Sequence, residues 1–220
     1  MKYLKKILLV LLIALTLTAC SGNTEDTNKK EEEKIVKEDI KTGTVDGYTF
    51  TQTEEVTDRV KIQMENGDIM LVVLSNEATP ITIKNFKKLV SEKFYDGLIF
   101  HRVIADFMIQ GGDPTGTGFH GSDEEIKGEF SSNGVKNTLS HTRGVVSMAR
   151  SNDPDSASSQ FFIVHQDSTY LDGNYAAFGK VFAGLDVVDK IAATPTDYND
   201  KPLTDQKIQS IRFVTVEKAK

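Results

Sequence analysis

"FHRVIADFMIQGGD", residues 100–113, is apolar enough to read as two short strands, 98–104 and 107–110. Yet Arg102 stands near its start and Gln110 near its end, on either side of Phe107 and Met108. Because alternate side chains of a strand point to opposite faces, such a mixture suits strands with one face in a core and the other on a working surface.

The flanking sequence extends this pattern. "VKIQMENGDIMLVVL", from Val60 to Leu74, holds two alternating runs around Asn66-Gly67, a hairpin signature. In "ATPITIKNFKKLVSEKFY", Thr79 is placed to cap a helix and Pro80 suits its first turn. Ile83, Phe86, Leu89 and Val90 form one apolar stripe. Further strands are expected at 144–149, 160–165, 178–182 and 208–216, and a second short helix at 184–193. Many short strands separated by turn residues point to a closed antiparallel barrel, with the two helices plugging its ends. No repeat is visible, and the connections between 111 and 143 are long enough to be functional.

Upstream the composition changes. "MKYLKKILLVLLIALTLTAC" sets Lys2, Lys5 and Lys6 before an apolar run, Ile7 to Thr18, of secretory rather than membrane-spanning length. It ends at Leu17-Thr18-Ala19-Cys20, which resembles the bacterial lipoprotein box. That resemblance implies a signal peptide over 1–19 and a lipid on Cys20, the only cysteine of the 220 residues. It also implies an extracytoplasmic protein anchored to the bacterial cell membrane. Cleavage there removes three lysines from a chain of net charge −6 and leaves −9, so attachment would rest on the lipid. Residues 20–41 read as the lipidated cysteine and a flexible tether, since so polar a segment cannot bury enough surface to offset its ordering. Residues 42–58 are an ambiguous lead-in, and 59–220 the folded domain.

Several functions find no support. A net negative charge argues against nonspecific nucleic-acid binding. "GTGFHG", 116–121, matches a dinucleotide fingerprint only as letters: Asp113-Pro114 precedes it, "SDEE" follows, and neither supplies the strand and helix that the motif needs. His101, His120, His141 and His165 have no metal-ligand spacing and read as structural, so neither a metal nor a cofactor is expected. Ser147, in "GVVSMA", lacks a nucleophile elbow, although a triad scattered along the chain stays open.

Four stretches in order, "FHRVIADFMIQGGDPTGTG" (100–118), "GVVSMAR" (144–150), "SSQFFIVH" (158–165) and "YLDGNYAAFGKV" (170–181), resemble the cyclophilin family of peptidyl-prolyl cis/trans isomerases. The likeness runs from about Val60 to Val216. It implies a mainly β fold: a closed eight-stranded antiparallel β-barrel capped by two α-helices, with the site on its outer face. Arg102 resembles the family's catalytic arginine, and Gln110 and Gln160 its polar orienting groups, with Gln110 expected to fix the arginine. Phe107, Met108, Phe162 and Leu171 resemble the walls of the proline pocket. Ala149 and Arg150 resemble the strand that pairs with substrate backbone, and Thr117 lies near the turn bordering a neighbouring pocket. Tyr170 stands where Trp is frequent and Tyr175 where His is frequent, each keeping an aromatic wall with a polar tip. Without an indole donor at 170, any cyclosporin binding is expected to be weak. Arg150 stands where Asn is common, which points to altered substrate preference. Phe161, next to Phe162 but pointing the opposite way, reads as core.

The implied chemistry needs no nucleophile. Twisting an X-Pro bond breaks amide resonance and gives the proline nitrogen a lone pair, which a guanidinium can stabilise more than the planar amide. The expected partners are proline-containing polypeptides, and a monomer is expected. Two readings compete: an isomerase that assists folding of exported or surface proteins, and a binding module, adhesin or holdase, that grips proline segments without significant turnover.

Overall fold

In the computed structural model, residues 39–74 and 77–218 are described. The expected signal peptide, Cys20 and the tether before Asp39 lie outside them.

Among the described residues ten strands and two α-helices follow in the order β1 (Thr42–Val45), β2 (Tyr48–Gln52), β3 (Arg59–Met64), β4 (Ile69–Leu74), α1 (Pro80–Ser91), β5 (Ile99–Ile104), β6 (Met108–Gly111), β7 (Val145–Met148), β8 (Phe161–Val164), β9 (Ala177–Ala183), α2 (Leu185–Ala192) and β10 (Gln206–Lys218). Eight of the strands close an antiparallel barrel, β3-β4-β9-β7-β8-β6-β5-β10, with β10 returning to β3. The thirteen-residue β10 makes the closure. Its first residues pair with β5, its middle with β3, and its end with β2.

Strand alternation fills the barrel. Val60 and Ile62 of β3, Ile109 of β6, Val146 and Met148 of β7, and Phe161 and Ile163 of β8 enter one core with Phe86, Leu89 and Val90 of α1. Phe161 is therefore core, as its parity predicts. The α2 residues Val187, Val188 and Ile191 join the same cluster.

Two expectations need correction. Thr79 makes no side-chain cap on α1. Instead the buried Glu129 carboxylate accepts from the N–H groups of Ile81 (3.0 Å) and Thr82 (2.8 Å) and from the Thr82 hydroxyl (2.7 Å). An anionic acceptor suits the positive end of a helix better than a neutral hydroxyl.

The second correction concerns the start of the domain. The ambiguous lead-in is a hairpin, β1–β2, turning at Asp46-Gly47, both with positive φ (49° and 77°). It extends the sheet along the end of β10 and lays Phe50 against Leu71, Ala183 and Val214. Burying one such ring is worth about 1.5–3 kcal/mol. Beneath it lies Lys61, fully buried, with the Phe50 ring 5.8 Å from its ammonium. The Lys61 ammonium donates to Asp39 Oδ1 (2.6 Å), Gln63 Oε1 (3.0 Å) and the Ile40 carbonyl. Residues 39–41, assigned to the tether from sequence, are thus tied to the barrel, because a buried ammonium needs acceptors that β3 alone cannot supply.

Candidate active site

On the opposite wall, around β8 and β6, the outward-facing residues form a second apolar cluster. Met108, Val145, Phe162, Val164, Leu171 and Ala177 are its buried floor, with Phe107, Ala149 and Tyr175 packed on it. Above it opens a groove of about 800 Å³.

Arg102 reaches this groove through a register fault. Simple alternation would place Phe100 and Arg102 on the same face. Between the pairs Phe100–Gly111 and Arg102–Gln110, however, β5 advances two residues while β6 advances one. This is a β-bulge at His101, a device that re-aims side chains beside sites. Phe100 and Val103 both stay in the core, and Arg102 turns out into the groove. His101 is buried in the bulge, and burial pushes its pKa below the usual histidine value.

Of the expected residues, Arg102, Phe107, Met108, Gln110, Thr117, Ala149, Arg150, Phe162, Leu171 and Tyr175 line the groove. Gln160 lines an adjoining hollow that shares Gln110, Ala149 and Arg150 with it. Tyr170 does not line the groove; it stands exposed at the rim, its ring 5.9 Å from that of Phe107. Tyr175 meets Phe162 edge-on at 5.9 Å. Strand β7 ends at Met148, so Ala149 and Arg150 lie just past it rather than within it, and the Ala149 N–H is taken by the Gln160 carbonyl (3.0 Å). The Arg150 guanidinium lies between the rings of Phe130 (5.1 Å) and Tyr175 (4.8 Å) and donates to the Asn174 and Ser151 carbonyls. Those contacts hold it as a wall.

The expected Arg102–Gln110 bond is absent. Gln110 Nε2 donates to Gln160 Oε1 (2.8 Å), and Gln160 Nε2 in turn to the carbonyls of Gly118 (3.0 Å) and His120 (2.8 Å). The glutamines bind each other and the 113–120 loop. Arg102 instead pairs through Nε with Asp200 Oδ2 at 3.3 Å, both side chains 42% exposed. Asp200, with Asp197, Tyr198, Asn199 and Lys201, belongs to a loop that borders the groove and was not singled out from sequence. Phe119, 88% exposed at the mouth, was missed as well.

"GTGFHG" serves this site as a turn. The buried Asp113 carboxylate accepts from the N–H groups of Thr115 (2.7 Å), Thr117 (3.1 Å) and Gly118 (2.6 Å), and from the Thr115 hydroxyl (2.9 Å). Burial alone would raise its pKa. The hydrogen bonds from Thr115, Gly118 and His120 outweigh it and hold the carboxyl at about 2. Gly112 has φ 92°, and a Cβ there would lie 2.4 Å from the Ser159 carbonyl oxygen, so the turn tolerates only glycine.

The scattered triad left open by the sequence does assemble. His141 Nδ1 lies 2.8 Å from Asp172 Oδ1, and His141 Nε2 lies 3.0 Å from Ser147 Oγ. Ser147, however, is fully buried behind Phe162, on which His141 stacks. No substrate carbonyl can reach that oxygen, so the chain supports the groove floor and is not a hydrolase site. Among the described residues no group of three or more His, Cys, Asp or Glu side chains is placed to hold a metal ion.

The fold and site define a class: a closed eight-stranded barrel whose outer wall carries an arginine beside an apolar slot. Comparison with known proteins makes the class specific. Residues 59–213 match the family model for cyclophilin type peptidyl-prolyl cis-trans isomerases. Over 159 residues the chain is 43% identical to peptidyl-prolyl cis-trans isomerase-like 1 of Neurospora crassa, covering 72% of this chain and 95% of that one. It is also 43% identical over 176 residues to a peptidyl-prolyl cis-trans isomerase of Acinetobacter baylyi, covering 73% and 88%. The fold is similar to that of a Cryptosporidium parvum cyclophilin type isomerase crystallised in the presence of the dipeptide Ala-Pro (TM-score 0.64, 32% identity, 70% of this chain and 98% of that one). The chain belongs to the cyclophilin-type peptidyl-prolyl cis-trans isomerase family, and its enzyme class is isomerase.

Proposed function

We propose that this chain isomerises X-Pro bonds of exported or surface polypeptides, from the outer side of a membrane to which a lipid on Cys20 anchors it. The observation that carries the catalytic part is the half-exposed Arg102 guanidinium beside a slot floored by Met108, Phe162 and Leu171. The proline ring sits on that floor, and Phe107 closes its side. The preceding carbonyl swings while the ring stays fixed. As the amide twists, its nitrogen gains a lone pair, to which Arg102 donates.

Magnitudes show what each part contributes. The uncatalysed barrier is about 18–20 kcal/mol. A hydrogen bond from a charged donor contributes about 1.5–3 kcal/mol, one to two orders of magnitude in rate at about 1.36 kcal/mol per tenfold. The remainder falls to the slot, since a twisted amide is less dipolar than a planar one and is favoured by apolar walls.

The Asp46-Gly47 hairpin and the Asp39–Lys61 tie put the entry of the described chain on the wall away from the groove, which suits an anchored enzyme. The anchoring itself rests on the sequence around Cys20. Two acyl chains hold a protein stably where one does not.

Exchange NMR on a proline tetrapeptide with the full chain tests the reaction. Cross-peaks between cis and trans forms should appear with the wild-type chain and fade with Arg102→Ala. Binding without exchange would leave a proline-gripping module instead. Labelling of cells with a radioactive fatty acid tests the anchor: Cys20→Ser should lose the label and leave the membrane fraction. With Tyr170 exposed at the rim, cyclosporin should bind weakly.

A further inference from the structure

We propose that Asp200 is a positioning residue for Arg102, holding its guanidinium by the Nε edge so that both terminal amino groups face the substrate. The inference rests on the isomerase reading above and deepens it.

Three observations carry it. Asp200 grips two consecutive residues of β5: its carboxylate takes Arg102 Nε (3.3 Å), and its carbonyl accepts from the Val103 N–H (2.8 Å). Among the described residues the Arg102 guanidinium makes no other hydrogen bond or ion pair, and Gln110, which faces it in register, gives its amide nitrogen to Gln160 and makes no bond to the guanidinium.

The loop that delivers Asp200 is itself tightly built. Asp197 Oδ1 accepts from the N–H groups of Asn199 (2.8 Å) and Lys201 (3.0 Å). Asp197 N–H donates to the Lys201 carbonyl (2.8 Å), and Thr196 bridges to Pro202. Asp200 adopts φ 63°, a left-handed conformation that aspartate accepts more readily than most residues and that here turns its carboxylate and its carbonyl toward β5.

The chemistry follows from geometry. An arginine whose side chain is nearly half solvent-exposed samples several rotamers, and only some aim at the proline nitrogen. Holding Nε narrows that search, and misplacement of a catalytic group is costly in rate. The pair also has a counter-effect, since a carboxylate draws charge from the guanidinium. An exposed pair is well screened by solvent, so positioning outweighs this loss.

The test uses the full chain in detergent micelles and a proline tetrapeptide. Asp200→Gly removes the carboxylate while tolerating positive φ, and Asp200→Asn keeps an acceptor oxygen without the charge. Asp200→Gly should lower kcat about fivefold, the upper end for a half-exposed pair, with KM within about twofold. Asp200→Asn should recover more than half of that loss. In an Arg102→Ala background, Asp200→Gly should cost nothing further. An undiminished kcat in Asp200→Gly, or the same fivefold loss without the arginine, overturns the proposal.

A second readout does not depend on turnover. The Arg102 Nε–H resonance, identified by its disappearance in Arg102→Ala, should shift and lose order in Asp200→Gly, and an unmoved resonance also overturns the proposal. If the wild-type chain fails to exchange the peptide, the isomerase reading falls, while the Nε–H signal still decides whether Asp200 holds Arg102.

Discussion

Lys61 and Arg102 are both cations projecting outward from barrel strands, and the chain treats them in opposite ways. Lys61 is sealed under Phe50 with Asp39, Gln63 and the Ile40 carbonyl around its ammonium. Arg102 keeps 42% of its side chain in solvent and, among the described residues, has one ion pair, to Asp200. The first cation serves folding, and three acceptors close on it. On the proposed function the second serves a reaction, and its terminal amino groups stay open to the groove. The hairpin that covers Lys61 does not reach Arg102, and that difference in cover is what leaves one cation sealed and the other open.

The comparison breaks most visibly at Asp39. Removing one partner of a buried ion pair costs about 3–5 kcal/mol, so Asp39→Ala should lower the urea midpoint sharply while folded molecules keep their turnover. Adding Lys61→Met should restore much of the loss, because an apolar replacement no longer needs acceptors. If Asp39→Ala leaves the midpoint unchanged, Lys61 is not sealed.

Arg102→Ala should do the reverse. We expect kcat/KM to fall about ten- to a hundredfold, equivalent to about 1.5–3 kcal/mol, with the melting temperature within a few degrees of wild type. A melting temperature that collapses with the rate would mark Arg102 as structural.

Acid separates the regions more gently. Burial holds the imidazoles of His101 and His141 below their usual pKa, so the unfolded chain binds protons first. Stability should begin to fall below about pH 6.5 and continue through the lower folded values. Burial would raise Asp39, but hydrogen bonds from Lys61 and Ser210 outweigh it, and Asp113 is held at about 2. Their contributions are complete above about pH 4 and disappear as pH falls through the folded values. Urea titrations at successive pH values should therefore show two descents, and a single descent near pH 4 would remove the histidines from the account.

The smallest effect belongs to Arg150→Asn. Its guanidinium makes wall contacts to Phe130 and Tyr175. We expect a change in the ranking of peptides that differ before proline, with kcat on the best of them altered less than about threefold, as for a group that adds binding rather than transition-state contact.

What the sequence revealed, and what it hid, divides along the range of the interactions. The barrel strands and both helices follow from local alternation and the apolar stripe, and the groove residues of β6 and β8 follow from parity once Ile109 and Phe161 are placed inside. The β1–β2 turn was also there to read, since Asp-Gly between alternating residues is a hairpin signal. The bulge at His101 was not, because a register fault belongs to a strand pair and not to one strand. Asp200 lies 98 positions from Arg102, and Glu129 lies 47 from Thr82, so only the closed fold brings either pair together. No local spacing encodes such contacts.

The long β10 has a practical corollary. It ends at Lys218 against Tyr48, so it finishes on the same hairpin-covered wall where Asp39 is fastened. Both ends of the described chain are therefore handles at the back of the molecule. A fusion partner or a solid support attached at either of these ends leaves the mouth of the groove unobstructed.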